Sequence, residues 1–322
     1  MSSMGVLFRS FAALAATAAL GAAAAGQDWP RRPATSPETA AAMAKADAGD
    51  PADLLKLADQ GRSDAQYFAG GMLIFGRGKI ARDPARGCAY EEKASAIRAD
   101  AMHLLGECHE RGLAGKVDRA KAEAAYGKSA DMGYPKSKCA LGEMLLADPA
   151  RSAQGLALCK AAAQAGDADA QTRVGDVYRR GRGAVRADAA EARRWYEMAV
   201  QQQNPAAARS LGEMYARGEG GKRSGKKAME SWRVAEAAGD PMVSILVGDH
   251  LFSELTGGKP PGPGTFAFRG GIQVADIEVV EQWYRDARDR DPRPDVRKRA
   301  EYALSVLSSF KKAGQAVSIQ QR

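Results

Sequence analysis

The stretch "ARSLGEMYARGEGG", residues 208–221, reads as an amphipathic helix running into a glycine-rich loop. Gly212 stands in mid-helix between Leu211 and Glu213, where glycine costs about 1 kcal/mol relative to alanine. A helix that keeps a poor former beside its packing residues needs a reason, and recurrence supplies it. Comparable segments are "AQYFAGGMLIFG" from 65, "AMHLLGECHERG" from 101, "SKCALGEMLLAD" from 137, "AQTRVGDVYRRG" from 170, "AARSLGEMYARG" from 207 and "VSILVGDHLFSE" from 243. The sixth residue is always glycine: Gly70, Gly106, Gly142, Gly175, Gly212 and Gly248, at steps of 36, 36, 33, 37 and 36 residues. Repetition at a fixed period is the mark of an array of supersecondary units.

Neighbouring columns keep the register. Five residues before the glycine stand Ala65, Ala101, Ser137, Ala170, Ala207 and Val243; one before it stand Ala69, Leu105, Leu141, Val174, Leu211 and Val247. Three after it stand Leu73, His109, Leu145, Tyr178, Tyr215 and Leu251. At about 100° per residue these columns share one helical face, which defines helix A of each unit. A second helix, B, follows, with a large residue three or four positions before an alanine: Tyr90 with Ala94, Tyr126 with Ala130, Trp195 with Ala199, Trp232 with Ala235, Trp283 with Ala287. Gly133, Gly166 and Gly239 stand where helix B ends, as a left-handed C-cap requires. Gly61 has the same place, so "PADLLKLADQG" reads as a B-type helix opening the array. One such helix pair cannot bury its apolar face alone, whereas stacked pairs share a continuous core. Mid-helix glycine then lets the partner helix come closer than a Cβ would allow. Gly76, Gly112, Gly181 and Gly218 serve the turn between A and B.

The N-terminus reads as an export signal over residues 1–26: "MSSMGVLFRS" carries Arg9 and no acid, and "FAALAATAALGAAAA" is apolar and ends in small residues suited to cleavage near Ala25 or Gly26. The run is short for a bilayer span; the alternative is an uncleaved anchor. Residues 27–50 read as a linker and an N-terminal helix, since Pro30, Pro33 and Pro37 oppose helix before position 37. The array then occupies 51–322. The expectation is a protein outside the cytoplasm, in a bacterial periplasm, with no stable membrane insertion after cleavage. The 45% hydrophobic and 27% charged residues fit a packed globular chain. The net charge of +8 is spread along the sequence, and no nucleic-acid motif accompanies it, so no nucleic-acid partner is expected.

The pattern A-x-x-x-L-G-x-M-Y-x-x-G-x-G, followed by A-x-x-W-Y-x-x-A, resembles the Sel1-like repeat, a relative of the tetratricopeptide repeat. "AARSLGEMYARGEGG" and "AQTRVGDVYRRGRGAVRADAAEARRWYEMA" carry it best. The resemblance implies an all-α fold, a right-handed α/α superhelix, and protein–protein binding. Three places depart from the pattern. The third unit is shortened at "LLADPARSAQG", and the sixth is interrupted by the Gly/Pro-rich residues 253–276. "RAEYALSVLSSF" keeps only helix-A character, with Ser305 in the glycine column, and reads as a capping helix. Some families of this type staple their helices with cystines. Of the three connectivities open to Cys88, Cys108, Cys139 and Cys159, pairing 88 with 108 and 139 with 159 joins helices adjacent in a solenoid. Four buried thiols are the alternative.

Catalytic signatures are missing: there is no G-x-S-x-G and no phosphate loop. His103, Cys108 and His109 cluster in sequence, but at no metal-ligand spacing, and His250 shares the column of Cys108. These read as core-facing substitutes, with no metal or cofactor expected. After the glycine stand Gly71, Glu107, Glu143, Asp176, Glu213 and Asp249, five acids in six units. In related solenoids helix A lines the concave surface, so this column is a candidate stripe for a basic partner segment. The competing reading is local pairing of Glu107 with Arg111, Asp176 with Arg180 and Glu213 with Arg217. Phe266 and Phe268 in the insertion are candidate contacts of a partner-binding loop. Lys222, Arg223, Lys226 and Lys227 are placed in the A–B loop of the fifth unit. The leading expectation is a non-catalytic scaffold binding a protein or peptide on its helix-A face. A cell-wall- or β-lactam-acting enzyme and an envelope-polymer binder are the alternatives.

Overall fold

Each glycine column marks a helical hairpin, and the hairpins follow one another along the chain. The computed structural model describes residues 34–77, 80–257 and 274–320. The expected export signal, the linker to residue 33, and Phe266 and Phe268 lie outside the described residues. Two short helices come first, α1 (Pro37–Asp47) and α2 (Ala52–Asp59). The six units follow. The first is α3 (Ser63–Phe75) with α4 (Pro84–Ala94), and the second α5 (Ala99–Arg111) with α6 (Arg119–Asp131). The third is α7 (Pro135–Leu146) with α8 (Ser152–Gln164), and the fourth α9 (Ala168–Arg180) with α10 (Ala189–Gln201). The fifth is α11 (Pro205–Arg217) with α12 (Gly225–Ala237), and the sixth α13 (Val243–Leu255) with α14 (Val274–Arg290). The long α15 (Pro294–Gln320) packs on α14. Among the described residues there is no strand beyond isolated bridges at Arg77–Ile80 and Arg182–Val185. Every helix packs chiefly on its neighbours in sequence, so the fold is an all-α repeat superhelix.

The turns explain the helix ends. Gly76, Gly112, Gly181 and Gly218 close helix A at φ +71°, +62°, +72° and +75°, a region in which a side chain is strained. The chain then enters helix B through a repeated clamp. Asp83, Asp118, Asp188 and Ser224 each accept a hydrogen bond from the amide three residues on, at 3.0–3.3 Å. Their own N–H groups donate back to the carbonyls of Leu73, His109, Tyr178 and Tyr215 at 2.7–2.9 Å. One residue thus caps helix B and ties it to the last turn of helix A.

The mid-helix glycines seat helix B. A Cβ on Gly106 would lie 2.6 Å from the Tyr126 ring, and one on Gly175 2.7 Å from Tyr196. Gly248 faces Tyr284 at 3.1 Å, and Gly212 carries the Trp232 indole directly. The seated residue stands three before a small residue of helix B: Tyr126 before Ser129, Tyr196 before Ala199, Trp232 before Ala235, Tyr284 before Ala287. This corrects the expected register by one position in the fourth and sixth units, where Trp195 and Trp283 stand beside the seated tyrosine. Helix B offers one residue per turn to the gap, and Tyr196 and Tyr284 are fully buried there. The second unit keeps Tyr126, but its small partner is the buried Ser129 instead of Ala130. In the third unit Gly142 faces Gly155, whose carbonyl oxygen would lie 2.5 Å from an added Cβ. The shortened hairpin therefore closes backbone to backbone. In the first unit Glu91, and not Tyr90, takes the seat against Gly70.

Disulfides join Cys88 to Cys108 and Cys139 to Cys159, the first between units and the second within the third unit. α1 and α2 pack on α3 through Ala42, Ala46, Leu54 and Ala58, extending the core ahead of the first glycine. At the other end Ala300, Ala303 and Leu307 of α15 are buried with Tyr284 and Phe252, while Ser305 is exposed. No described helix B lies across Ser305, so the glycine has nothing to seat. Lys226 and Lys227 belong to the first turn of α12, leaving only Lys222 and Arg223 in the loop where all four were placed.

Gly175→Ala is expected to lower stability by about 1–3 kcal/mol in urea unfolding, the usual penalty for overpacking. Gly127→Ala in α6, where nothing lies within 4 Å of an added Cβ, should raise it by up to about 1 kcal/mol. Equal effects would remove the seating argument. Replacing both Cys88 and Cys108 by alanine should cost about 2–4 kcal/mol, the typical contribution of one disulfide.

Candidate functional site

Successive A helices stand side by side, and toward the C-terminal half they line an open cavity of about 650 Å³. Its walls come from α9, α11, α13 and α15, with Arg179 and Arg180, Arg209 and Ser210, Glu213 and Arg217, Ile245 and Asp249, and Arg293 and Arg299 among the lining. Of the acidic column, Glu213 and Asp249 reach this cavity, and Asp176 lies beneath its rim through Arg180. Glu107 and Glu143 lie on earlier A helices.

No acid of the column stands as a free carboxylate. The three local pairs are present: Glu107 with Arg111 at 3.9 Å, Asp176 with Arg180 at 3.1 Å and Glu213 with Arg217 at 3.9 Å. Pairs between units add to them: Glu143 with Arg173 at 3.5 Å, Glu213 with Arg179 at 3.2 Å and Asp249 with Arg299 at 2.8 Å. The glycine gap also wires the column from behind. Tyr196 donates its hydroxyl to Asp176 at 2.6 Å, and Tyr284 donates to Asp249 at 3.0 Å. Tyr126 reaches Glu110 instead, at 2.8 Å. In the fourth and sixth units the ring that packs on the glycine therefore also positions the acid next to it.

Burial decides the electrostatics. It pushes the Asp249 carboxyl up to about 6, against the opposing pull of Arg299 and the Tyr284 hydroxyl. Burial likewise raises Glu143, with Arg173 and Arg182 opposing. Glu107 moves down because His103 hydrogen-bonds it, and Glu219 moves down because Arg179 does.

His103 belongs to a buried relay in the second unit. Its Nδ1 lies 2.9 Å from Ser137 Oγ and its Nε2 3.4 Å from Glu107. The residue types invite comparison with a serine–histidine–carboxylate triad, but the proton count does not. Ser129 donates to the Ala99 carbonyl, so Ser137 must donate to Ser129. His103 Nδ1 is then a donor to Ser137 and cannot be the base a nucleophilic serine needs. Ser137 is also fully buried. Cys108 is held in its disulfide, and His250 packs its ring edge-on to Trp232 at 5.5 Å. Among the described residues no group of three or more ligand side chains is placed to hold a metal ion.

Two features were missed from sequence. One is the set of ion pairs between units, Arg173 with Glu143, Arg179 with Glu213 and Arg299 with Asp249. The other is Glu91. Both its carboxylate oxygens are buried without a hydrogen-bond partner, facing Gly70. Burial drives its pKa well above the usual range, with Asp100 and Glu107 adding to the rise and Arg98 opposing.

In comparisons with known proteins the Sel1 repeat matches residues 63–96, 99–134, 168–204 and 205–239. The class of protein is thus a helix-hairpin repeat solenoid, and the chain belongs to the Sel1-repeat family. The third unit, closed by Gly142 on Gly155, and the interrupted sixth fall outside the matched ranges. Among solved structures, a Sel1 repeat protein from Oxalobacter formigenes is 18% identical, with a TM-score of 0.57, covering 81% of this chain and 100% of its own. A protective antigen of uropathogenic Escherichia coli is 21% identical with a TM-score of 0.49, over 73% of this chain and 55% of its own. An immunity protein from Pseudomonas aeruginosa is 17% identical with a TM-score of 0.49, over 65% and 84%. No curated protein matches the chain. Sel1-repeat proteins generally mediate protein–protein interaction. No helix among the described residues is long and apolar enough to cross a membrane.

Glu91→Gln should stabilise the protein at neutral pH. A carboxyl whose folded pKa lies above its unfolded value binds its proton more tightly in the native state. Its stabilising contribution is full below the unfolded pKa and falls as pH rises toward the folded one. The advantage of the variant should therefore vanish near pH 4 and grow above it by up to about 1.4 kcal/mol per pH unit, the slope for one proton. Urea titrations across pH check this, and a difference independent of pH would refute the buried-acid assignment.

Proposed function

We propose that the chain is a non-catalytic interaction scaffold outside the cytoplasm. Its array, residues 51–322, captures a segment of a partner protein in the cavity formed by α9, α11, α13 and α15. The observation that carries this reading is the cavity itself, about 650 Å³ and lined along one wall after another by repeat-related A helices. Repeat arrays generate extended concave surfaces of this kind, and capture there needs positioned side chains but no reacting group. Glu213 and Asp249 act within it as anchors that hold arginines in place. Glu107, Glu143 and Asp176 do the same along the earlier part of the face. The cystines support an oxidising compartment, in keeping with the export signal expected over residues 1–26.

Photocrosslinking tests the reading. A benzophenone amino acid placed at Ser210, on the cavity wall, should form a polypeptide adduct in native envelope extract. The same group at Lys128, exposed on α6, should not. No adduct from Ser210, or equal adducts from both positions, would defeat the proposal.

A further inference from the structure

The cavity shows a consistent layering of charge. In the pairs at its rim the carboxylate is the inner member and the guanidinium the outer. Arg180 has 72% of its side chain exposed against 28% for Asp176, and Arg217 63% against 22% for Glu213. Arg299 has 45% against 18% for Asp249. Arg293 repeats the order over a fully buried Asp291. Arg179 is the exception, an inner arginine that ties Glu213 to Glu219 and fixes the floor. The order has a simple origin: the acids sit next to the glycine, close to the backbone, and the longer arginines fold over them.

Pairing does not exhaust these arginines. A guanidinium carries five N–H donors. Arg180 uses one nitrogen on Asp176, at 3.1 Å, and Arg217 lies no closer than 3.5 Å to either of its acids. Both side chains are largely exposed, and the planar guanidinium fork suits carboxylates. Between the arginines the lining is aliphatic, with Ile245 and Val296 nearly buried and Met242 and Leu246 partly so. No aromatic side chain lines the cavity to stack a base, and Asp295 and Glu219 interrupt the positive surface. Both features disfavour a nucleic-acid strand, which needs a continuous basic track with stacking platforms.

We infer that the cavity recognises an acidic peptide segment, its carboxylates taken by Arg180, Arg217 and Arg299 and an aliphatic side chain set on Ile245 and Val296. The inference rests on the cavity being the partner site, as proposed above, and reverses the sign of partner expected from the acidic column. The acids face inward and act through the arginines; the surface offered to a partner is cationic. The near-neutral pH at which Asp249 titrates, about 6, adds a consequence. Below it Arg299 loses its inner partner and has more of its donors for the peptide.

The test uses the full mature chain and three labelled probes read by fluorescence anisotropy. They are a short peptide of alternating glutamate and leucine, its lysine-for-glutamate counterpart, and a single-stranded oligonucleotide of similar length. The acidic peptide should bind, should weaken with added salt, and should lose at least about tenfold in affinity in R180A/R217A, the effect of removing hydrogen bonds to charged groups. The R180E/R217E variant should bind the lysine peptide better than the acidic one. Circular dichroism of both variants verifies that these exposed substitutions leave the helices intact. Failure of the acidic peptide to bind, tighter binding of the lysine peptide or the oligonucleotide to the unaltered protein, or indifference to R180A/R217A would overturn the inference. An adduct at Ser210 to a neutral or basic segment would do so while leaving the cavity as the partner site.

Discussion

The structure depends on the contact between a glycine of helix A and one bulky residue of helix B. Tyr126, Tyr196, Trp232 and Tyr284 each fill the space that a Cβ would take. The glycine loses helix propensity, and the buried ring offsets that loss with about 2–3 kcal/mol of apolar burial. The same contact fixes register, because only one residue per turn of helix B can meet the gap. Where no ring is available the chain keeps the approach by other means: Gly155 and a cystine in the third unit, a carboxylic acid in the first.

Seating has an effect beyond packing. A tyrosine long enough to cross the gap delivers its hydroxyl to the acid that follows the glycine, as Tyr196 does for Asp176 and Tyr284 for Asp249. Packing at the back of the helix thereby sets the geometry at its front. The first unit reverses the arrangement, for Gly71 brings no acid and Glu91 brings one from helix B. That carboxyl stops in the core, short of any hydrogen-bond partner, and ties the stability of its seat to pH.

The repeat, its hairpin turns and the cystine partners were legible in the sequence because each is local or strictly periodic. Helix-B register was less so. Trp195 beside Tyr196 and Trp283 beside Tyr284 offer two large residues in a row, and composition cannot say which one meets the glycine. The acids could be found as a column, but their orientation within ion pairs could not. Arg179 lies 34 residues from Glu213, and Arg299 lies 50 from Asp249, so these partners meet only after the hairpins stack. The five acids are legible as one column, whereas the greater exposure of the arginines paired with Asp176, Glu213 and Asp249 emerges only once the hairpins stack.

The two cystines are confined to the first three units, and the cavity lies among the last three and α15. In a linear array each unit is held only by its neighbours, so stiffness is a local property. The Cys88–Cys108 bond ties the first unit to the second, and Cys139–Cys159 closes the third hairpin, so local opening there is opposed covalently. The trailing half has no such bond and is held by its buried cores, its seats and its ion pairs. Opening of the trailing units therefore follows packing and charge, whereas opening of the stapled ones follows redox state as well.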